Sequence, residues 1–303
     1  MSDTPGAAPF FAPRNFLPFL LVALIWGSTW LVIKDQVGSV PPGWSVTWRF
    51  ALAAVGMAIY ALIRRSPLRL DRQGQALAMT LGLFQFTMNF QFVYRAEVHL
   101  TSGIVAVLFA LLLVPNTVLA RIFLKQPVSR GFIAGSAVAI SGIALLLAHE
   151  YRMAPPEGQV GWGVALALAA LMSASVANVV QATGAARRQP MLSVLAWGMA
   201  WGTMLDALVS WALSGPPQFE MRWSYFGGIA YLAVIGSVVT FPIYFRLIRD
   251  LGAGRAAYNG VLVPVVAMLL STLFEGYRWT PLAISGSVLA LTGLVLALRA
   301  KAT

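Results

Sequence analysis

The sequence predicts an all-α polytopic membrane protein whose ten transmembrane helices form two inverted five-helix repeats. Hydrophobic residues make up 59% of the 303 residues, and charged residues make up only 10%. The apolar residues fall in runs of about 20, which is the length of a helix that crosses a bilayer. One apolar stretch, 133–147, is repeated at 284–298 with seven identities in fifteen positions. Lys and Arg concentrate in every second connection between the runs.

The repeated stretch indicates that half of the chain has been duplicated. Gly135 and Gly142 in the first copy match Gly286 and Gly293 in the second. Glycines seven residues apart lie on one helix face, where they let another helix approach closely within a bilayer. The alternative is that two lipid-exposed helices share an apolar composition by chance. Because each copy holds five helices, an odd number, the second copy enters the membrane in the opposite orientation.

The ten spans follow from the order of the apolar runs. They are Phe16–Ile33, Trp44–Ile63, Gln75–Tyr94, Ser102–Phe123, Phe132–Ala148, Trp162–Thr183, Leu192–Leu213, Trp223–Phe245, Ala257–Phe274 and Pro281–Leu298. A backbone in lipid must satisfy its own polar groups, so each span is predicted to be helical. The first span is expected to remain uncleaved rather than to act as a secretory signal. We therefore divide the chain into a tail (1–15), a first repeat (16–150) and a second repeat (158–299).

The distribution of positive charge predicts the orientation. With both chain ends on one side, 15 of the 21 Lys and Arg residues fall on that side, five fall on the other, and Arg49 lies within a span. Loops rich in Lys and Arg stay in the cytoplasm. We therefore expect an inner-membrane protein with both termini in the cytoplasm.

Several functional classes are disfavoured by the composition. The net charge of +11 would suit nucleic-acid binding, but the basic residues lie between apolar runs and not on one patch. The chain has no cysteine, and its two histidines, His99 and His149, sit at span ends without a visible partner. No paired intramembrane aspartates or HExxH pattern supplies a base or a metal site. We expect no catalytic residue, no metal and no cofactor, and we favour a carrier over an enzyme or a passive channel.

Two motifs connect the chain to a known family. The first span contains Trp26-Gly27-Ser28 and ends at Lys34, and the second opens with Pro41-Pro42 and carries Trp48-Arg49-Phe50. Together with the duplicated glycine-rich helix, this order resembles the ten-helix drug/metabolite transporter superfamily and, within it, the EamA-type exporters. The overall likeness is greatest to the YddG-type amino-acid exporters. The inverted repeats themselves predict alternating access, in which rocking the repeats about a site between them exposes that site to each side in turn. One departure is that the family often has an acidic residue at the end of both the fourth and ninth helices, where this chain has Lys125 and Glu275.

Two charged residues lie clearly within spans, where insertion costs about 2.5–3.5 kcal/mol each. Arg49 lies near the external end of the second span, and Asp206 lies at a similar depth in the seventh span, its counterpart in the other repeat. They are interpreted as a gate or a contact with a substrate carboxylate. The alternatives are a structural ion pair and an Arg49 side chain that extends to the interface.

A predicted substrate cavity draws on polar and aromatic residues of several spans. Gln85 and Asn89 are four residues apart and share a helix face. Trp26 is the better cavity candidate of the two tryptophans in the first span, and Trp30 is more typical of an interfacial anchor. The predicted lining residues are Trp26, Gln85, Asn89, Phe90, Phe109, Ser173, Asn178, Tyr258 and Asn259. Helix packing and interhelical hydrogen bonding are the alternatives for each of them. Pro115 and Pro264 are candidate hinges or static kinks.

These observations predict an exporter of small neutral metabolites, with amino acids bearing aromatic or other neutral side chains as the favoured substrates. The alternative is an efflux carrier for hydrophobic drugs or for another metabolite class such as nucleotide sugars. No charged side chain is expected near the midplane of the membrane, so substrates should be neutral or zwitterionic and transport only weakly coupled to protons. The expected partners are the small-molecule substrate and the lipid bilayer.

Overall fold

A computed structural model describes residues 13–38, 40–153, 158–251 and 259–299, and these residues form an all-helical protein. The helices are α1 (Pro13–Gln36), α2 (Pro42–Ile63), α3 (Arg72–Leu81), α4 (Asn89–His99), α5 (Ser102–Ala110), α6 (Leu113–Leu124), α7 (Arg130–Met153), α8 (Val160–Gln181), α9 (Gly184–Arg188), α10 (Met191–Ser214), α11 (Trp223–Ala230), α12 (Thr240–Leu251), α13 (Asn259–Phe274) and α14 (Pro281–Arg299). Two π-helical segments, π1 (Gly82–Met88) and π2 (Tyr231–Val239), join α3 to α4 and α11 to α12.

Most of the predicted spans correspond to long apolar helices. Within the described residues, eight stretches are long and apolar enough to cross a membrane, and two shorter apolar helices follow at 259–274 and 281–297. The third and eighth spans are not uniform α-helices, because each contains a π-helical segment near its middle. The fourth span is interrupted by a turn at 111–112, between α5 and α6, and Pro115 in the first turn of α6 cannot donate a backbone hydrogen bond. The chain is a multi-pass membrane protein.

The helices pack across the two halves of the chain in a regular order. The most extensive contacts join α7 to α14 and α2 to α10. α4 packs on α8, while the related helices α11 and α12 pack on α1. α13 packs on α1, while α5 and α6 pack on α8. Exchanging the first-half helices for their second-half counterparts therefore reproduces these contacts. The exchange is not complete, because α1 also packs on α4 and α5, and no contact of that extent joins α8 to α11, α12 or α13 in the described residues. The two halves interlock around a main buried core, with two smaller apolar clusters beside it.

The closest helix contact is made by the repeated glycines. A side-chain carbon on Gly135 would collide with Ala297, and one on Gly293 would collide with Ala139, in both cases against the backbone of the opposite helix. Gly142 lies in the same way against the backbone of Ala290. Because apolar association alone does not hold helices together in lipid, this close backbone approach supplies the packing. The pairing of α7 with α14 confirms the role expected for the repeated glycines.

Polar groups fix the helix ends and connect the halves. Asp71 caps α3 by accepting a 2.6 Å hydrogen bond from the backbone amide of Gly74, and it accepts a second, at 3.0 Å, from Gln189 after α9. These two donors hold the pKa of the Asp71 carboxyl below its usual value. Glu275 accepts a 3.1 Å hydrogen bond from the amide of Ser102 at the start of α5, whereas Lys125 ends α6 in a left-handed conformation. The Glu275 and Lys125 positions therefore differ in structure as well as in charge.

Candidate substrate-binding site

A cavity lies between helices from both halves of the chain. It offers about 140 Å³ of open space, close to the roughly 150 Å³ of an engineered protein cavity that holds benzene. Its walls come from α1, α2, π1, α4, α5, α8, α12 and α13. A void of this size accommodates the ring or aliphatic body of a small metabolite.

Aromatic side chains form much of the cavity wall. The ring of Trp26 lies 4.7 Å from that of Tyr244 and 5.6 Å from that of Phe241, measured between centroids. The ring of Trp30 lies 5.1 Å from that of Phe109 on another part of the wall. Tilted and edge-on arrangements at these distances are favourable for aromatic pairs. The wall therefore offers flat, rigid, apolar faces to a ligand.

The π2 segment positions two of the cavity groups. A π-helical turn alters the usual pairing of backbone groups, and the carbonyl oxygen of Gly236 accepts a 3.3 Å hydrogen bond from the indole nitrogen of Trp26. The Ser237 hydroxyl donates to the carbonyl of Leu232 five residues earlier, at 2.8 Å. With its one hydrogen used there, the Ser237 oxygen is left as an acceptor. The Ser237 oxygen accepts a hydrogen bond from Arg49.

Arg49 brings a positive charge to the cavity wall. Its side chain is 1% exposed, and its Nε and Nη2 atoms lie 3.4 and 3.3 Å from Ser237 Oγ. Its guanidinium carbon lies 4.3 Å from the ring centroid of Phe90 and 5.2 Å from that of Phe50, as in cation–π contacts. In the described part of the chain no carboxylate lies within 4 Å of it, and Glu97 acts only at longer range. Its Nη1 atom is buried without a hydrogen-bond partner.

Amide side chains provide the other polar groups of the wall. Asn89 donates from Nδ2 to the backbone carbonyl of Gln85 at 3.3 Å, and its Oδ1 atom is buried without a partner. Neither polar atom of the Asn259 side chain has a partner. Asn178 donates a long 3.5 Å hydrogen bond to Asn116. Buried amides without partners are costly unless a ligand or water completes them, which is typical of a binding site.

The sequence profile of the EamA-like transporter family matches this chain twice, over residues 16–148 and again over residues 161–299. The chain belongs to the EamA-like transporter family. PagO of Salmonella typhimurium is 25% identical to this chain, over 86% of this chain and 84% of that protein. The "probable terminal-alkyne amino-acid exporter" of Streptantibioticus cattleyicolor is 27% identical over 91% of each chain. The "probable amino-acid metabolite efflux pump" of Escherichia coli is 25% identical over 91% of each chain.

A solved crystal structure has the same fold as this EamA-like transporter. It superposes with a TM-score of 0.67 and covers 93% of this chain and 95% of its own, at 19% sequence identity. At that identity the likeness concerns the fold alone. It agrees with the family match, which extends over both halves of the chain.

In this EamA-like transporter the cavity brings together seven of the nine residues predicted to line it. They are Trp26, Gln85, Asn89, Phe90, Phe109, Asn178 and Asn259. Ser173 does not line the cavity; its hydroxyl donates to the carbonyl of Ala169 at 2.9 Å, and the neighbouring Ala174 faces the cavity instead. Tyr258 lies outside the described residues. Pro264 lines the cavity, whereas Pro115 is buried away from it.

Arg49 and Asp206 do not pair with each other in the described structure. Asp206 is fully buried between helices, and its Oδ1 atom accepts a 2.9 Å hydrogen bond from Gln91 Nε2. Gln91 in turn accepts a hydrogen bond from Arg95, so Asp206 belongs to a separate polar group away from the cavity. The cavity wall carries one charged side chain, that of Arg49, whereas no charged side chain was expected near the midplane of the membrane.

Other cavity residues were missed or misassigned by the sequence. Trp30, interpreted as an interfacial anchor, is 9% exposed and faces the cavity. α12 contributes Phe241, Tyr244 and Phe245, none of which was predicted. Their spacing of three and four residues places them on one helix face, and this was the signal available in the sequence. It was not decisive, because aromatic residues on one face of a transmembrane helix also pack against other helices.

Proposed function

We propose that this EamA-like transporter exports neutral amino acids with apolar or aromatic side chains across the inner membrane. The observation that carries the proposal is the cavity itself: aromatic faces for an apolar side chain, amides without partners and one cation for the polar end. The printed names of the Streptantibioticus and Escherichia coli relatives support amino acids or their metabolites as the substrate class. Our alternative is an efflux carrier for hydrophobic drugs, which the aromatic wall would also suit.

The proposed mechanism is alternating access between two inverted five-helix repeats, 16–150 and 158–299. Three observations support it: the family profile matches each half, the main helix contacts recur when the halves are exchanged, and a π segment occurs in the third and eighth spans. In inverted-repeat carriers the substrate lies between the repeats, and rocking them exposes it to each side in turn. We further propose ten spans with both termini in the cytoplasm, from the excess of Lys and Arg on that side.

The direct test is flux in proteoliposomes that contain the purified protein. Methionine or phenylalanine, lysine and glutamate would be offered together, with and without an imposed pH gradient, and empty liposomes would serve as the control. We expect the apolar amino acids to be carried in preference to lysine and glutamate. We also expect flux to persist without the gradient, because no described carboxylate lines the cavity. Preference for lysine or glutamate would refute the substrate class, and transport of tetraphenylphosphonium alone would favour the drug carrier.

The expected weak coupling of transport to protons has its own test. Uphill accumulation that collapses when the pH gradient is removed and also in Asp206→Asn would show that a buried carboxyl carries a proton. Asp206 is the carboxyl chosen for replacement because it is fully buried in a span, although it does not line the cavity. Equal flux by this variant and the unaltered protein is expected.

A further inference from the structure

We propose that the cavity recognises its substrates by their carboxylate, through Arg49 held by Ser237, and that it has no charged partner for an ammonium group. The substrates are then apolar monocarboxylates, whether the nitrogen is a free ammonium or is acylated. This inference rests on the proposed function and narrows its substrate class. It also gives Ser237, which no sequence pattern singled out, a role as a positioning residue.

Arg49 has hydrogen-bonding capacity that its protein partners leave free. A guanidinium carries five N–H donors in a planar fork and cannot lose its charge in a protein. Nε and Nη2 point to Ser237, the ring of Phe90 covers one face, and the neutral hydroxyl of Tyr94 also interacts with the guanidinium, but Nη1 has no hydrogen-bond partner. A buried cation is costly unless it is paired and fully hydrogen-bonded. The missing partner is therefore an anion with an oxygen acceptor, and a carboxylate suits the planar fork.

Ser237 fixes the orientation of the Arg49 guanidinium. Ser237 is fully buried and donates its hydroxyl hydrogen to Leu232 O, so only its lone pairs face Arg49. That arrangement fixes one edge of the guanidinium against π2, and the Arg49 side chain lines the cavity. The π-helical turn thus fixes the donor before a substrate arrives. Such preorganisation strengthens binding because less rotamer freedom is lost on association.

The nitrogen of the substrate has only neutral groups to bind in the described cavity wall. None of the described residues that line the cavity is acidic. A substrate ammonium would meet only neutral acceptors, such as Oδ1 of Asn89 and Oδ1 of Asn259. An acylated nitrogen, which is neutral, can use the same amides as hydrogen-bond partners. Discrimination should therefore be strong against loss of the carboxylate and weak against loss of the ammonium charge.

The test compares three probes that share a phenyl ring: phenylalanine, N-acetylphenylalanine and phenethylamine. Binding to the detergent-purified protein is followed by fluorescence, because Trp26 and Trp30 line the cavity. We expect phenylalanine and N-acetylphenylalanine to bind within about threefold of each other. Phenethylamine should bind at least about tenfold more weakly, since it lacks the group that completes a charged hydrogen bond. Proteoliposome flux should follow the same order.

Variants locate the effect in the chain. Arg49→Gln should weaken binding of the two carboxylates about 10- to 100-fold and leave phenethylamine nearly unchanged. Ser237→Ala should raise the KM for phenylalanine about three- to tenfold with little change in maximal flux, and Ser237→Thr, which keeps the hydroxyl, should restore it. Ser193→Ala is the matched control, because Ser193 is a buried, hydrogen-bonded serine in α10 away from the cavity.

The outcomes separate this inference from the function on which it rests. Equal binding of phenethylamine and phenylalanine would overturn carboxylate recognition while leaving amino-acid export intact. Rejection of N-acetylphenylalanine together with normal binding of phenylalanine would overturn the other half of the inference, that no charged partner meets the ammonium group. If the protein neither binds nor carries any of the three probes, the proposed function fails as well. The comparison of probes needs only the unaltered protein, so a poorly folded Arg49 variant does not remove the test.

Discussion

Replacing Gly142 by alanine should loosen the contact between α7 and α14. An alanine Cβ at this position would lie 2.7 Å from both the Ala290 Cα atom and the Gly286 carbonyl oxygen, on the backbone of the opposite helix. A backbone cannot move aside as a side-chain end does, so the helices must separate. Overpacking a fitted contact costs about 1–3 kcal/mol, and the better helix propensity of alanine offsets about 1 kcal/mol of that.

Gly227 offers a matched control for this substitution. It lies within α11 and is exposed, and an alanine Cβ at this position would have no other atom within 4 Å. Because the gain in helix propensity is common to Gly142→Ala and Gly227→Ala, the difference between them isolates the cost of overpacking, about 1–3 kcal/mol. We expect Gly293→Ala to match Gly142→Ala, since it meets the backbone of Ala139 in the same way.

The assay for these variants is unfolding by SDS in mixed micelles, followed by far-ultraviolet circular dichroism. Gly142→Ala and Gly293→Ala should unfold at a lower SDS fraction than the unaltered protein, and Gly227→Ala at the same or a higher fraction. If Gly142→Ala and Gly227→Ala unfold at the same SDS fraction, the close backbone contact does not contribute to stability and our account of this interface is wrong.

Three further predictions concern the helix cap, the cavity and the topology. Asp71→Asn should destabilise the protein at pH 7. Because folding lowers the pKa of Asp71, the contribution of its carboxylate to stability is present above about pH 4. That contribution is lost as the pH falls through the pKa of Asp71 in the folded state. SDS unfolding at pH 7 and pH 3 checks this, and a constant difference between the two would contradict it. A cysteine at Asn89, in this cysteine-free chain, should react with a small water-soluble thiol reagent and be protected by phenylalanine. A cysteine at Leu208, which is 68% exposed on α10, should show no such protection. If phenylalanine protects the cysteines at both positions equally, or protects neither, Asn89 packs between helices and does not contact the substrate. Reporter fusions at Thr303 and in the Tyr151–Gly158 loop should report opposite sides, and the same answer from both would rule out the ten-span topology.

The sequence was informative wherever a rule of the bilayer acts on the chain directly. Apolar runs of helical length identified the spans, because an unpaired backbone is not tolerated in lipid. The spacing of Gly135 and Gly142 marked a face of close contact, which the structure places against α14. Polar amides within a span were an unusual feature, and Gln85, Asn89 and Asn259 do line the cavity.

The remaining features depended on which way a side chain faces, and only the tertiary structure decided this. In a soluble protein an apolar face marks the interior, but in a bilayer the lipid-facing and inward-facing sides of a helix are both apolar. Hydropathy therefore could not assign Phe241, Tyr244 and Trp30 to the cavity. Nor could it anticipate the π2 segment, in which Ser237 turns toward the guanidinium of Arg49. The sequence alone was enough to predict a chain of apolar helices and the glycine-lined helix faces that pack closely. The packing of the helices against one another determined which side chains meet around the substrate cavity.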